Sequence, residues 1–472
     1  MDHPYYVAGS WVSNGEVLEV RSPFRGNLVG RTFRPPERVV EEAIQKAGAA
    51  FDETRALPTY RKTNLLKRIA SGVEERRNSF AELIAKEAGK PIRLAHGEVT
   101  RAIRTFTEAA EECSRLYGEI LPLDVGEAAE GRVGFTRYFP VGPVLAITPF
   151  NFPLNLVAHK LAPAIAAGCS VILKPSSETP LTALLLAKVI DEAGDLRDSL
   201  SVLPLEGSRA MELAGRPDFK KVTFTGSAAV GWRLKERAWD KKVTLELGGN
   251  AAVILHSDWS EWDRAVDRIV FGGYAYSGQV CISVQRIFVQ EEIYNRFVDF
   301  FVEKVKGLRA GDPLSESTDI GPMITAGEAS RVESWVDEAV EGGARVLVGG
   351  KRDGIFYHPT VLTGARSGMK VVDEEVFGPV TALFPYQHFE DAIRAVNDSK
   401  FGLQAGVYTR DMRLAMAAFQ ELEVGGVIVG DIPTFRVDRM PYGGVKNSGI
   451  GREGLRYAIR EMCEPRLLVL AQ

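Results

Sequence analysis

The stretch VGPVLAITPFNFPLNLVAHKLAPAIAAGCSVILKP (residues 141–175) sets two short, continuously apolar runs, VLAI and VILK, around a helical pattern. Runs that do not alternate with polar residues belong to strands covered on both faces. The arrangement therefore predicts a parallel sheet between layers of helices. The pattern extends outward: LTALLLAKVIDEAG reads as a helix, SLSVLPL as a strand, SRAMELA as a helix and KVTFTGS as a strand. A second series follows VTLELGGN, with AAVILH, a helix over residues 258–278, QRIFVQ, a helix over 292–308, and GGVIVG at 425–430. Upstream, residues 37–53, 61–89 and 96–118 carry apolar positions at three- and four-residue steps and read as helices.

At 472 residues the chain exceeds what one core organises, so two or three domains are expected. The two α/β series break near residue 247. Residues 127–139 (EAAEGRVGFTRYF) alternate like a hairpin, and the final RLLVLAQ is a further strand. Stray strands of this kind pair with each other or with another subunit, which predicts an oligomer. A net charge of −4 excludes a nucleic-acid footprint, and no apolar stretch nears the roughly eighteen residues of a membrane span. The start, MDHPYYVAGSWV, lacks a basic and apolar leader, so no signal peptide is expected. Cys113, Cys169, Cys281 and Cys463 form no CxxC pair, and the six histidines show no ligand spacing. No metal site is expected, and a reducing, cytoplasmic setting follows.

Several segments carry chemistry with an ordinary alternative beside it. Cys281 in YSGQVCIS is a nucleophile or a buried thiol packed like a small hydrophobe. Glu246, in the apolar strand before GGN, is a base of raised pKa or a satisfied core acid. Asn151, between aromatic rings in TPFNFP, donates to an oxyanion or caps the next helix, and local sequence favours the cap. Lys174 ends a buried strand where ligands bind in open α/β sheets. FTGSAAVG offers a helix N-terminus to a phosphate, or is simply a turn.

TPFNFP, LKPSSETP, FTGSAAVG, LELGGN, GQVC, EEVFGP and YGGVKNSGIGRE occur in one order along the chain. Together they resemble the NAD(P)-dependent aldehyde dehydrogenase superfamily over nearly the full length. The flavour is that of its succinate-semialdehyde, lactaldehyde and non-phosphorylating glyceraldehyde-3-phosphate members. The resemblance implies an α/β aldehyde dehydrogenase fold: a Rossmann-like cofactor domain (1–118 and 140–246), an α/β catalytic domain (247–442), and a small β oligomerisation element with a C-terminal tail (119–139 and 443–472). It implies a homodimer or homotetramer acting on a small-molecule aldehyde, with neither nucleic acid nor membrane as partner.

By the same resemblance Cys281 adds to the aldehyde, Asn151 stabilises the oxyanion, and Glu246 activates the water that releases a free acid. Lys160 and Glu453 match a pair given a proton-relay role in relatives, with a helix-terminal salt bridge as the alternative. Cofactor contacts fall on Ile147, Thr148, Pro149, Phe150, Lys174, Ser176, Ser177, Gly207, Gly226, Ser227, Gly231, Leu247, Gly248, Glu375 and Phe377. Members that prefer NAD carry glutamate where this chain has Ser177. A carboxylate there would repel a 2′-phosphate, so NADP is favoured, with NAD as a second cofactor. Arg209 is a candidate counter-charge or a surface arginine. Val280 stands where phosphate-binding relatives carry arginine, predicting an apolar pocket wall. Arg101 and Arg104 lie on a funnel-lining helix, facing substrate or pairing with Glu98 and Glu108.

Overall fold

The computed structural model describes residues 2–195 and 197–471. Its first sheet has eight strands. Five of them are parallel, in the spatial order Leu200–Val202, Val171–Lys174, Val144–Ile147, Lys221–Thr225, Lys242–Glu246. Within these five every residue but Lys242 is buried, as the unbroken apolar runs predict. Numbered along the chain, that order is 3-2-1-4-5, the dinucleotide-binding arrangement short of its sixth strand, with a switch point between Val144–Ile147 and Lys221–Thr225. Asn151 and Gly226 follow those two strands.

Helix Asn155–Ala167 joins the first two strands of this series, and all of its residues are buried. An Ala- and Leu-rich segment without a polar face has no side to offer water, so it lies inside the layer. Gly168 ends it at φ 96°, where a Cβ would meet the Thr54 carbonyl oxygen at 2.9 Å.

The chain crosses to a second sheet between Lys242–Glu246 and Ala252–Leu255. That sheet has seven strands, all parallel except Arg345–Val348. The expected hairpin at 127–139 does not form. Arg132–Pro140 is a single strand between Ile120–Pro122 and Cys463–Ala471. Alternation fixes which face a strand buries but not which strand it pairs with. The pairing of the terminal strand with this one agrees with the sequence expectation. Gly449–Ile450 also returns to the first sheet, antiparallel to Leu245 and Glu246. Among the described residues, no helix is long and apolar enough to cross a membrane.

Candidate active site

Cys281 sits in the loop between the short turn Ala275–Gly278 and strand Arg286–Gln290 of the second sheet. The turn is unusual: Tyr276, Ser277 and Gly278 all have left-handed backbones, at φ 50°, 55° and 70°. Residues with a Cβ adopt this region at a cost, and it persists only where surroundings over-determine it. Here they do. The Tyr276 hydroxyl donates to the Ala88 carbonyl at 2.7 Å and Ser277 Oγ donates to Gly321 at 2.7 Å. Gln279 Oε1 accepts from the Ile324 amide at 2.9 Å. A Cβ on Gly278 would meet the Gly378 carbonyl oxygen at 2.1 Å, so glycine alone fits.

Asn151 Nδ2 donates to the Gln279 carbonyl at 2.8 Å, tying the loop after Val144–Ile147 to the thiol loop. The capping alternative fails. Glu98 Oε1, from the helix Ile92–Glu112, accepts from the Leu154 and Asn155 amides at 2.9 and 3.1 Å and serves that helix start instead. Cys281, Asn151 and Glu246 line one cleft of about 440 Å³, with Pro149, Phe150, Gly226, Ser227, Leu247, Gly248, Glu375 and Phe377. Of these, Phe377 is left-handed at φ 47° and packs edge-on against Phe150.

The electrostatics set the two carboxylates apart. Glu246 is buried, and among the described residues neither of its oxygens has a hydrogen-bond partner. Burial, then the negative charge of Glu453, pushes its pKa well above the usual carboxylate value. Glu453 is equally buried but takes Lys160 Nζ at 2.6 Å and Arg436 Nη2 at 2.9 Å. Burial opposes its ionisation, but the two cations prevail and hold it down to about 2. The Lys160–Glu453 pair therefore exists, deep in the protein and mid-helix at Lys160 rather than helix-terminal. Burial pushes the Cys281 thiol up to about 11, against the pull of a hydrogen bond shared with Tyr442.

The surroundings of Tyr442 were not legible in the sequence. Arg436 lies over the Tyr442 ring at 3.8 Å and is within hydrogen-bond reach of His159, whose Nε2 faces Asp438 at 3.3 Å. The wall near the thiol is thus not wholly apolar. Val280 packs into the core of the first sheet, and the charge arrives from residues distant in the chain. Arg101 is half-buried near Phe152, where burial and the Arg436 charge lower its pKa. The helix-internal pairing expected for Arg101 and Arg104 does not occur. Glu98 is taken by Lys90 and Glu108 by Arg439, and among the described residues neither arginine has an ion-pair partner.

A dinucleotide fits the residues present. Lys174 is buried and its pKa is lowered to about 8 by desolvation alone. Thr148 and Thr225 have buried hydroxyls without hydrogen-bond partners among the described residues. Ser227 stands, with no side-chain cap bond, at the N-terminus of helix Ala228–Arg237. Gly231 is buried in that helix, where a Cβ would meet Leu247 at 2.4 Å, and a Cβ on Gly248 would meet the Glu375 carboxylate at 2.0 Å. Glu375 accepts from the Gly249 amide at 3.2 Å. Ile147 ends its strand, Ser176 Oγ accepts from the Glu178 amide, Ser177 is half-buried, and Gly207 opens helix Gly207–Ala214. Arg209 is engaged by Glu37, Glu41 and Glu212, so its charge is already matched. Among the described residues no His/Cys/Asp/Glu cluster could hold a metal ion.

A sheet of dinucleotide-binding order, meeting a second, mostly parallel sheet across a cleft with a thiol, an amide and three glutamates, has the architecture of an α/β dehydrogenase. The aldehyde dehydrogenase family model matches residues 11–468. The 3-sulfolactaldehyde dehydrogenase of Priestia aryabhattai is 46% identical over 466 residues, 98% of this chain and 97% of that protein. The crystal structure of aldehyde dehydrogenase 21 from Physcomitrella patens, in complex with the reaction product succinate, superposes with a TM-score of 0.97 at 41% identity, covering 100% of this chain and 98% of that one. That of glyceraldehyde-3-phosphate dehydrogenase GapN from Methanocaldococcus jannaschii, complexed with NADP, gives 0.93 at 37% identity over 97% and 100%. The chain belongs to the aldehyde dehydrogenase family.

Proposed function

We propose that this protein oxidises a short aldehyde bearing an anionic group to the free carboxylic acid, with NADP or NAD as hydride acceptor. The observation that carries the reading is the Glu246 carboxyl, buried without a partner in the cleft that holds Cys281. A lone acid in such a place is costly unless it serves a reaction.

Cys281 adds to the carbonyl carbon through its thiolate electron pair, and the carbonyl oxygen becomes an oxyanion. The second N–H of Asn151, oriented by the bond to Gln279, donates to that oxygen. The adduct carbon then loses its hydrogen as hydride, for which nicotinamide, when bound, supplies the acceptor, and the oxyanion pair reforms the C=O bond to leave a thioester on Cys281. Glu246 in its ionised form then takes a proton from water. The resulting hydroxide attacks the thioester, and the C–S bond breaks to release acid and thiolate. Glu453, held ionised by Lys160 and Arg436, sets its negative charge near Glu246 and so raises the affinity of Glu246 for that proton.

Lys174, Ser176, Ser177 and Gly207 would hold the adenosine end, and Gly226, Ser227 and Gly231 the pyrophosphate. Ile147, Thr148, Pro149, Phe150, Leu247, Gly248, Glu375 and Phe377 would hold the nicotinamide end. The unpaired Lys174 and the absence of a carboxylate at Ser177 support NADP, while the matched charge of Arg209 argues against a part for that residue. Arg101, with no ion-pair partner among the described residues, supports an anionic substrate, in keeping with relatives named for a sulfonated aldehyde and holding a dicarboxylate product.

The division into 1–118 with 140–246, 247–442, and 119–139 with 443–472 is supported by the change of sheet after Glu246. Exposed Ile120, Leu467, Leu468, Val469 and Leu470 on the third sheet support a homodimer or homotetramer.

Reduced-nicotinamide absorbance, followed with succinate semialdehyde and butanal under each cofactor, tests the reading. Turnover is expected with both aldehydes, the anionic one preferred, and none with Cys281→Ala. Ester cleavage with no nicotinamide reduction from any aldehyde would make the protein a thiol esterase and refute it.

A further inference from the structure

The motif YGGVKNSGIGRE carries more than a family likeness: its first residue touches the sulfur. Tyr442 Oη lies 3.2 Å from Cys281 Sγ, and among the described residues no other side chain hydrogen-bonds that atom. The phenol is fixed from every side. Its ring is buried beneath the Arg436 guanidinium at 3.8 Å, and its backbone exchanges both hydrogen bonds with Glu453, at 2.9 and 2.6 Å. Among the described residues the hydroxyl has no bond other than that to Cys281.

We propose that Tyr442 is a catalytic residue that donates its hydroxyl proton in a hydrogen bond to the Cys281 thiolate. The inference rests on the reading of Cys281 as nucleophile. The Cys281 proton leaves to solvent, while Tyr442 keeps its own throughout. When the sulfur electron pair forms the C–S bond, the sulfur loses its charge and the hydrogen bond weakens. When the thioester breaks, the returning thiolate meets the same donor. Burial supports this division, because it keeps the Tyr442 hydroxyl protonated far above neutral pH. The guanidinium over the ring withdraws electron density from it and sharpens the donor.

A hydrogen bond to a charged acceptor shifts a protonation equilibrium by about tenfold or more. Removing it in Tyr442→Phe keeps the ring, its stack and the backbone bridge. The pH midpoint of Cys281 alkylation by iodoacetamide is then expected to rise by about one unit. Thiolate nucleophilicity falls with pKa, with a Brønsted slope of about 0.4–0.5. The variant should therefore react about threefold more slowly at pH 7 and about threefold faster at its high-pH plateau. This crossing of the two profiles is a signature that a structural role would not give. Cys113, Cys169 and Cys463 are buried, and peptide mass confirms the site of labelling. An unchanged midpoint, or slowing by the same factor at every pH, overturns the proposal. If either occurs while Cys281→Ala still abolishes turnover, the nucleophile reading stands and only Tyr442 falls. If Cys281→Ala retains turnover, the nucleophile reading fails and the proposal with it.

Discussion

Replacing Glu453 by glutamine removes one charge from the buried group of Glu453, Lys160 and Arg436 and leaves two cations facing a neutral amide. Unit charges 2.6 Å apart, the Lys160–Glu453 separation, attract by roughly 6 kcal/mol gross at an effective dielectric of about 20. Desolvation cancels part of this, and breaking a buried pair from one side costs about 3–5 kcal/mol net. Linkage gives a second route to the magnitude. A carboxyl held at about 2 in the fold, against an ordinary 4.5, contributes about 3 kcal/mol at neutral pH. The sign follows from the depressed pKa: the stabilisation is complete above 4.5 and disappears as pH falls through 2. Glutamine cannot titrate, so the stability gap between wild type and Glu453→Gln should be about 3 kcal/mol at pH 7 and at pH 5, and about 2 kcal/mol at pH 3.5. At this chain length 3 kcal/mol corresponds to about 3 °C in Tm. Calorimetric scans of both proteins at the three pH values measure the gap. A variant as stable as wild type, or a gap that widens in acid, would refute the assignment of Glu453 as the ionised partner. A kinetic readout is independent of stability. Glu453 raises the Glu246 pKa, so its loss should move the acid limb of thioester hydrolysis to lower pH.

Two further outcomes follow from the site. Arg101→Met should raise KM for an anionic aldehyde by about tenfold, the worth of a charged hydrogen bond, and leave KM for butanal within twofold or so; equal effects on both would remove Arg101 from substrate recognition. Ser177→Glu sets a carboxylate beside the position of a 2′-phosphate, and should reverse the cofactor preference by lowering kcat/KM with NADP about a hundredfold while sparing NAD. A variant with an unaltered cofactor ratio would place the discriminating contact elsewhere.

The sheets were readable because burial on both faces leaves a mark in the sequence, the unbroken runs VLAI, VILK and VTFT. Asn151, Glu246 and Cys281 could be picked out together because motif order sets them in one frame, and the fold brings all three to one cleft. What local sequence missed were partners supplied from elsewhere in the chain. Asn151 looks like a cap because it precedes a helix, yet Glu98, on another helix, serves those amides. Arg101 and Glu98 stand one turn apart, but Glu98 is buried and its charge is met by Lys90. The Tyr442 hydroxyl is one atom in a glycine-rich signature, and nothing nearby says that it meets a sulfur. Arg436 has no local signal at all. Contacts of this kind are made only when segments apart in the chain are brought together by the fold.

The segment 436–453 carries Arg436, Tyr442 and Glu453, and it follows Cys281 by more than a hundred residues. A chain still on the ribosome can fold the strands around Asn151 and Glu246 before that segment has emerged. Until it does, the sulfur has no phenol beside it and the two glutamates are not yet assembled. Any fragment ending before residue 436 should be inert towards aldehydes, however well its first sheet forms. Synthesis thus completes the reactive centre only when the polypeptide is nearly finished.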